Sequence, residues 1–156
     1  LDQSFTNFAG RQLNLALLFP MEQVFEGYVY HWLKQQYPGW RISAQDQRHH
    51  LVEAYRGRSA FCLRPDFVLT HPDGRMVVAD AKWKRLDASP SGHLKLSQAD
   101  LYQLYAYGKK YQASRSQSPA LWLLYPEQPT LPAGQPQALR YESGLGLWVE
   151  GVSLMP

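Results

Sequence analysis

Arg64-Pro65-Asp66-Phe67-Val68-Leu69, the turn Thr70-His71-Pro72-Asp73-Gly74-Arg75, and Val77-Val78-Ala79-Asp80-Ala81-Lys82-Trp83-Lys84 form the stretch whose reading decides the fold. Proline in the turn presets φ and glycine supplies φ > 0, so the flanking apolar runs should pair antiparallel. If Pro72-Asp73-Gly74 closes on His71 and Arg75 as a three-residue loop, counting back sets Asp66 directly opposite Asp80, with Cβ atoms about 5 Å apart. A loop of another length would shift the register by a residue.

Side chains alternate along a strand, so Asp80, Lys82 and Lys84 share one face while Val77, Ala79, Ala81 and Trp83 share the other. Two close carboxylates repel unless a positive charge lies between them. Mg²⁺ suits that place, being a hard ion that takes oxygen ligands and keeps waters and phosphate oxygens in its remaining positions. Mn²⁺ is expected to substitute for it. Lys82 would then stand beside the attacking water, where its charge orients or helps deprotonate the nucleophile and steadies a pentavalent phosphate. The plainer reading is an exposed hairpin with scattered charges. A bare Pro-Asp followed by Asp-x-Lys arises often by chance, so the rest of the chain has to decide.

At 156 residues and 45% hydrophobic content, the chain is long enough for one well-buried core and too short for two ordinary domains, so residues 1–156 are expected to form a single unit. The formal net charge of +3, with a pI near 9.0, suits a polyanionic partner such as DNA without requiring one. Cys62 alone excludes an internal disulfide framework and a cysteine-based zinc cluster, and fits a reducing cytoplasmic location. No apolar run reaches membrane-spanning length, and the run 13–19 lacks the flanks of a signal peptide. Membrane association is not expected. A first residue Leu1 in place of Met suggests a fragment of a longer protein.

Met21, Val24, Phe25, Tyr28, Val29, Trp32 and Leu33 recur every three or four residues, which predicts an amphipathic helix opened by Pro20 and ended by Tyr37-Pro38-Gly39. Short strands follow at 41–44 and around 50–53, then the hairpin strands at 60–69 and 75–84. Residues 87–95 read as a loop with Pro90 and Gly92. A second helix should start after Ser97, capped by the Ser-x-x-acid pattern with Asp100, and run to about residue 111 on a stripe of Leu101, Leu104, Tyr105 and Gly108. The run 120–125 reads as a buried central strand. After the proline-rich loop 126–136, residues 138–141 and 147–154 make a last pair of strands. This order argues an α/β unit with a central mixed β-sheet flanked by helices.

Further candidates border this site. Glu22 and Glu26 flank the apolar stripe of the first helix; both read as solvated flank acids by position, but Glu26 could reach toward Asp66 and Asp80 as a third carboxylate. Asp100, Gln103 and Tyr107 share a face of the second helix, and the amide and hydroxyl could orient a lysine, a water or a nucleotide, although taken alone a hydrated helix edge with tyrosines packed at the core margin is the favoured reading. His49 and His50 diverge on a strand and have no zinc-ligand partner at motif spacing, so they read as surface residues. Two basic groups are candidate phosphate contacts: Arg56, Arg58 and Arg64, and Lys109, Lys110 and Arg115, the latter also placed to complement a helix dipole.

Glu26 on a helix, Pro65-Asp66 at one strand, Asp80-Ala81-Lys82 on the next and a following helix together resemble the PD-(D/E)xK nuclease superfamily. More closely, Met21-Glu22-Gln23-Val24-Phe25-Glu26, Pro65-Asp66-Phe67-Val68-Leu69, Asp80-Ala81-Lys82-Trp83-Lys84 and Asp100-Leu101-Tyr102-Gln103-Leu104-Tyr105-Ala106-Tyr107 are similar to the nuclease region of McrC, the cleavage subunit of 5-methylcytosine-dependent restriction systems. The likeness runs from about Leu13 to the C-terminus. It implies a restriction-endonuclease-like fold, Mg²⁺ held by Asp66 and Asp80 with Glu26 as a further candidate ligand, and Lys82 beside the attacking water. Gln103 and Tyr107 match the Gln-x-x-x-Tyr element of RecB-like members, where it supports the site, and Lys84 joins them as a supporting residue. McrC proteins also carry an N-terminal region that engages the GTP-driven AAA+ motor McrB, which recognises modified DNA; the chain is expected to be the isolated nuclease part of such a protein, or a related nuclease fused to or partnered by something else.

The resulting expectation is a Mg²⁺-dependent DNA endonuclease domain. The alternatives are a RecB-like exonuclease or repair nuclease, and a DNA-binding or assembly module that keeps the fold without cutting. A double-strand break needs two active sites or two visits, so a homodimer is one route to it.

Overall fold

The computed structural model describes residues 6–9, 12–15, 20–113 and 115–155. Leu1 and residues 16–19 of the apolar run 13–19 lie outside the described residues. In chain order the elements are β1 (Thr6–Ala9), β2 (Gln12–Leu15), α1 (Met21–Gln36), β3 (Arg41–Ala44), β4 (His50–Tyr55), β5 (Arg58–Cys62), β6 (Phe67–Thr70), β7 (Met76–Ala81), α2 (Gln98–Gln112), β8 (Ala120–Pro126), β9 (Gln137–Arg140) and β10 (Gly146–Val152). β1 and β2 pair antiparallel with each other. No described helix is long and apolar enough to cross a membrane.

The main sheet has the order β3-β6-β7-β8-β10-β9, with β8 parallel to both β7 and β10 and the other pairs antiparallel. It is the expected mixed sheet, and the run 120–125 lies in its interior. β6 and β7 are buried on both faces, which is why they read as nearly continuous apolar runs rather than alternating ones. One face, carrying Phe67, Leu69, Val77, Ala79 and Leu124, packs against Phe25, Val29 and Leu33 of α1. The other, carrying Val68, Val78, Leu121, Leu123 and Val149, packs against Leu104, Tyr107 and Tyr111 of α2. Each helix thus covers one face of the same strands.

Three local expectations need correction. The strand expected over 60–69 is broken: β5 pairs with β4 in a separate two-stranded sheet, and residues 63–66 carry the chain across to β6. Pro65 has no N–H to donate and Phe61 has φ 56°, so neither continues a regular ladder. The buried stripe of α1 is narrower than its spacing suggests, since Met21, Val24 and Tyr28 are exposed. In α2 the stripe is rotated: Tyr107 and Tyr111 are buried, while Leu101 and Tyr105 sit at its margin. Gly108 lets this helix approach β8, because a Cβ there would meet methyl carbons of Leu121 and Leu145 at 2.9 Å.

Candidate active site

The hairpin closes as its turn chemistry dictates. The His71 N–H donates to the Arg75 carbonyl at 2.9 Å, leaving Pro72-Asp73-Gly74 as the loop, and Gly74 takes φ 94°. Phe67 then pairs with Ala79 and Leu69 with Val77, and extending that register by one residue sets Asp66 across from Asp80. Asp66 lies just outside β6, where its Oδ2 accepts the Ala81 N–H at 2.8 Å. Asp80 belongs to β7 and is 2% exposed.

Two carboxylates are therefore held together in a largely dry place. Burial, reinforced by the charge of Asp80, pushes the Asp66 carboxyl up to about 8, against the lowering effect of the Ala81 N–H. The Lys82 ammonium makes ion-pair contact with Asp80 Oδ2. Beyond that ammonium, the oxygen has no hydrogen-bond partner among the described residues. For Lys82, burial works to lower the pKa, but the Asp80 charge outweighs it and holds the ammonium above its ordinary value. Lys82 is thus a cation here, with its proton secured.

α2 supports this lysine. Ser97 caps the helix by accepting the Asp100 N–H at 3.4 Å. One turn in, Lys82 Nζ donates to Gln103 Oε1 at 3.2 Å, Gln103 Nε2 donates to the Tyr107 hydroxyl at 2.8 Å, and that hydroxyl donates to the Arg64 carbonyl at 3.1 Å. Every link runs in the same donor direction, from the lysine to the backbone just before Pro65-Asp66. Burial and the charge of Asp80 push the Tyr107 hydroxyl up to about 12, which keeps it a donor. Lys84 occupies a separate pair, with Nζ 2.8 and 3.1 Å from the two oxygens of buried Asp100.

Glu26 stands apart from this cluster. Its carboxylate accepts from Gln45 Nε2, and Gln45 also donates its backbone N–H to the Asp66 carbonyl at 2.9 Å. The charge of Glu26 is close enough to contribute to raising Asp66, but among the described residues no three His, Cys, Asp or Glu side chains gather as a metal-binding group. The donors that do converge are Asp66 and Asp80, a half-buried and a buried carboxylate, with one Asp80 oxygen touched only by the Lys82 ammonium. They fit a hard divalent cation that keeps most of its water.

Other residues take roles the sequence did not disclose. Asp46, 7% exposed, accepts the Tyr111 hydroxyl at 2.7 Å and Arg48 Nε at 2.7 Å, tying the loop after β3 to α2. His49 is half-buried rather than on the surface, with its ring 4.3 Å from that of Tyr111. A free-standing acid in a polar loop gives no periodic signal of burial. Gln45 was equally hidden, since its contacts join residues 19 and 21 positions away. Of the basic candidates, Arg115 donates to the Gly74 carbonyl at 2.7 Å and serves the fold, whereas Arg56, Arg58 and Arg64 are exposed.

A family model described as "McrBC 5-methylcytosine restriction system component" matches residues 1–126. Among solved structures, the chain is similar to one in a "Refined half-complex from tetradecameric assembly of Thermococcus gammatolerans McrB AAA+ hexamers with bound McrC", at TM-score 0.63 and 16% identity over 90% of this chain and 30% of that one. The present chain therefore spans under a third of that relative's length. A search of curated proteins finds no match.

Proposed function

The chain belongs to the McrBC 5-methylcytosine restriction system component family, and from that premise we propose that it is the Mg²⁺-dependent DNA endonuclease domain of such a system, with a restriction-endonuclease-like fold over residues 1–156. The observation that carries this reading is the apposition of Asp66 and Asp80 beside the Lys82 ammonium. A binding module would gain nothing from buried acids where phosphates must approach.

Asp66 and Asp80 would hold the cation, with Glu26 a third ligand if Gln45 releases it. When bound, Mg²⁺ supplies Lewis acidity for attack of water on the phosphodiester. Lys82, anchored by Gln103, presents its positive charge to the phosphate oxygens as negative charge builds on them. Tyr107 fixes Gln103, and through the Arg64 carbonyl holds the same chain segment that carries Asp66. Lys84 and Asp100 fix the segment that follows β7 against the start of α2. The partner of the domain is DNA, delivered by an AAA+ motor of the McrB kind.

The test is cleavage of plasmid DNA with Mg²⁺ or Mn²⁺, with the motor added if the domain alone is silent, together with calorimetric titration of the metal. Asp80→Asn should abolish cleavage and saturable metal binding while the thermal melt stays near wild type. Undiminished cutting by that variant would remove the site assignment.

A further inference from the structure

The β4–β5 hairpin stands outside the main sheet, and its strands pair only with each other among the described elements. Its loop is the two-residue Arg56-Gly57, both with positive φ (51° and 77°), between the paired residues Tyr55 and Arg58. Turns of this kind favour asparagine, aspartate or glycine at the first position, because other side chains are strained there. This chain accepts that strain and places an arginine at the tip.

The hairpin's surface is unusual in two further ways. Residues 49–64 hold Arg56, Arg58 and Arg64 against the single acid Glu53, so these sixteen positions carry two of the chain's three net positive charges. All three arginines are exposed and make no ion pair with a described residue. On the same hairpin, Leu51 and Phe61 are 50% and 67% exposed, and the pairing of His50 with Cys62 sets them opposite one another across the ribbon. Phe61 too has positive φ, at 56°. The base of the hairpin is fixed by the Leu63 N–H donating to the His49 carbonyl at 2.8 Å, and the strand leaving it runs directly into Pro65-Asp66.

We propose that the β4–β5 hairpin is a DNA-holding arm of the nuclease, with Arg56, Arg58 and Arg64 on backbone phosphates and the Leu51–Phe61 pair against the duplex surface between them. This rests on the nuclease reading above and adds the surface by which the duplex is held. A two-stranded ribbon is narrow enough to enter the major groove. Phosphates complement guanidiniums that make no ion pair with a described residue, Arg56 lying only over the Tyr55 ring, and an exposed apolar pair gives contact that does not weaken with salt. Because the arm leads straight to Asp66, a duplex gripped by it lies alongside the candidate catalytic residues.

The experiment is fluorescence anisotropy of a labelled DNA duplex titrated with the full chain in metal-free buffer across a series of salt concentrations, so that binding is read without cleavage. Arg56→Ala/Arg58→Ala should flatten the slope of log affinity against log salt by about two, at roughly 0.9 per phosphate contact. Leu51→Ser/Phe61→Ser should weaken binding by a similar factor at every salt concentration and leave the slope unchanged. Circular dichroism of both variants should match wild type, since every substituted side chain is exposed. Wild-type affinity and slope in both variants would overturn the proposal. So would variants that keep DNA binding but lose co-sedimentation with the AAA+ motor, which would make the arm a protein-docking surface. In either case wild-type cleavage would leave the nuclease reading standing; a wild-type chain that neither binds nor cuts DNA would overturn both.

Discussion

The Tyr107 hydroxyl donates to the Arg64 carbonyl across 3.1 Å, joining the middle of α2 to the backbone two residues before Asp66. The same oxygen accepts from Gln103, which in turn holds Lys82. One hydroxyl therefore sets the spacing between the carboxylate side and the cation side of the site. The sheet alone would not do this, because residues 63–66 lie in no strand.

Tyr107→Phe removes that link while keeping the ring in the core cluster it shares with Val68 and Val78. It leaves the Arg64 carbonyl and one Gln103 amide proton unpaired, which should cost about 1 to 3 kcal/mol of unfolding free energy, read by urea denaturation. If the hydroxyl positions the site, kcat for DNA cleavage should fall by about tenfold or more, with KM little changed. Equal cleavage by Tyr107→Phe and wild type would confine the residue to the core.

Lys82 and Asp80 should behave as a unit. Lys82→Met leaves the Asp80 carboxylate buried with its cation gone and Asp66 across from it, and should destabilise by about 3 to 5 kcal/mol. In the double variant Lys82→Met/Asp80→Asn, most of that loss should return, because the stranded charge is gone. Stability measured over the four-member cycle, with metal chelated, checks this: simple additivity would mean that the pair is not coupled. No member lacking Asp80 or Lys82 should cleave.

The sequence carried the centre of this protein and missed its margins, for physical reasons. Pro72-Asp73-Gly74 determines a loop length, and loop length determines register, so the apposition of Asp66 and Asp80 was legible from a dozen residues. Gln103 and Tyr107 were legible as a shared helix face, but not that Tyr107 is only 3% exposed, because an aromatic at a stripe's edge reads alike whether its hydroxyl is wet or bonded. The continuous strand over 60–69 was misread because an apolar segment carries no mark of which sheet it joins. The aims of Glu26, Gln45 and Asp46 depend on tertiary contacts alone. The match to the restriction-system family agrees with the resemblance drawn from the motifs, and says nothing of what each side chain does.

Gly151 presents a narrower test of packing. A Cβ at this position in β10 would fall within the van der Waals envelope of the Leu131 carbonyl oxygen, a backbone atom that cannot swing aside. Ala133 bridges to Gly151 in parallel fashion, so the proline-rich loop lies directly on the strand. Gly151→Ala should destabilise by about 3 kcal/mol, visible as a lower urea midpoint. An unchanged midpoint would mean that the loop is free to lift.

The Asp46–Tyr111 contact sets a pH dependence remote from the acidic pair at the site. Burial pushes the Asp46 carboxyl up, but the Tyr111 hydroxyl and the backbone and guanidinium of Arg48 outweigh it, and the carboxyl is held below its ordinary 3.8. A depressed carboxyl pKa contributes stability that is fully present above the unfolded value and is lost as pH falls through the folded one. Asp46→Ala should therefore be less stable than wild type near pH 7, with the gap narrowing only below about pH 4, as wild type takes up its proton. Tyr111→Phe should show the same behaviour in weaker form, since Arg48 still holds the carboxylate. Denaturation midpoints collected across the acid range separate this from a packing loss, which would open a gap of the same size at every pH.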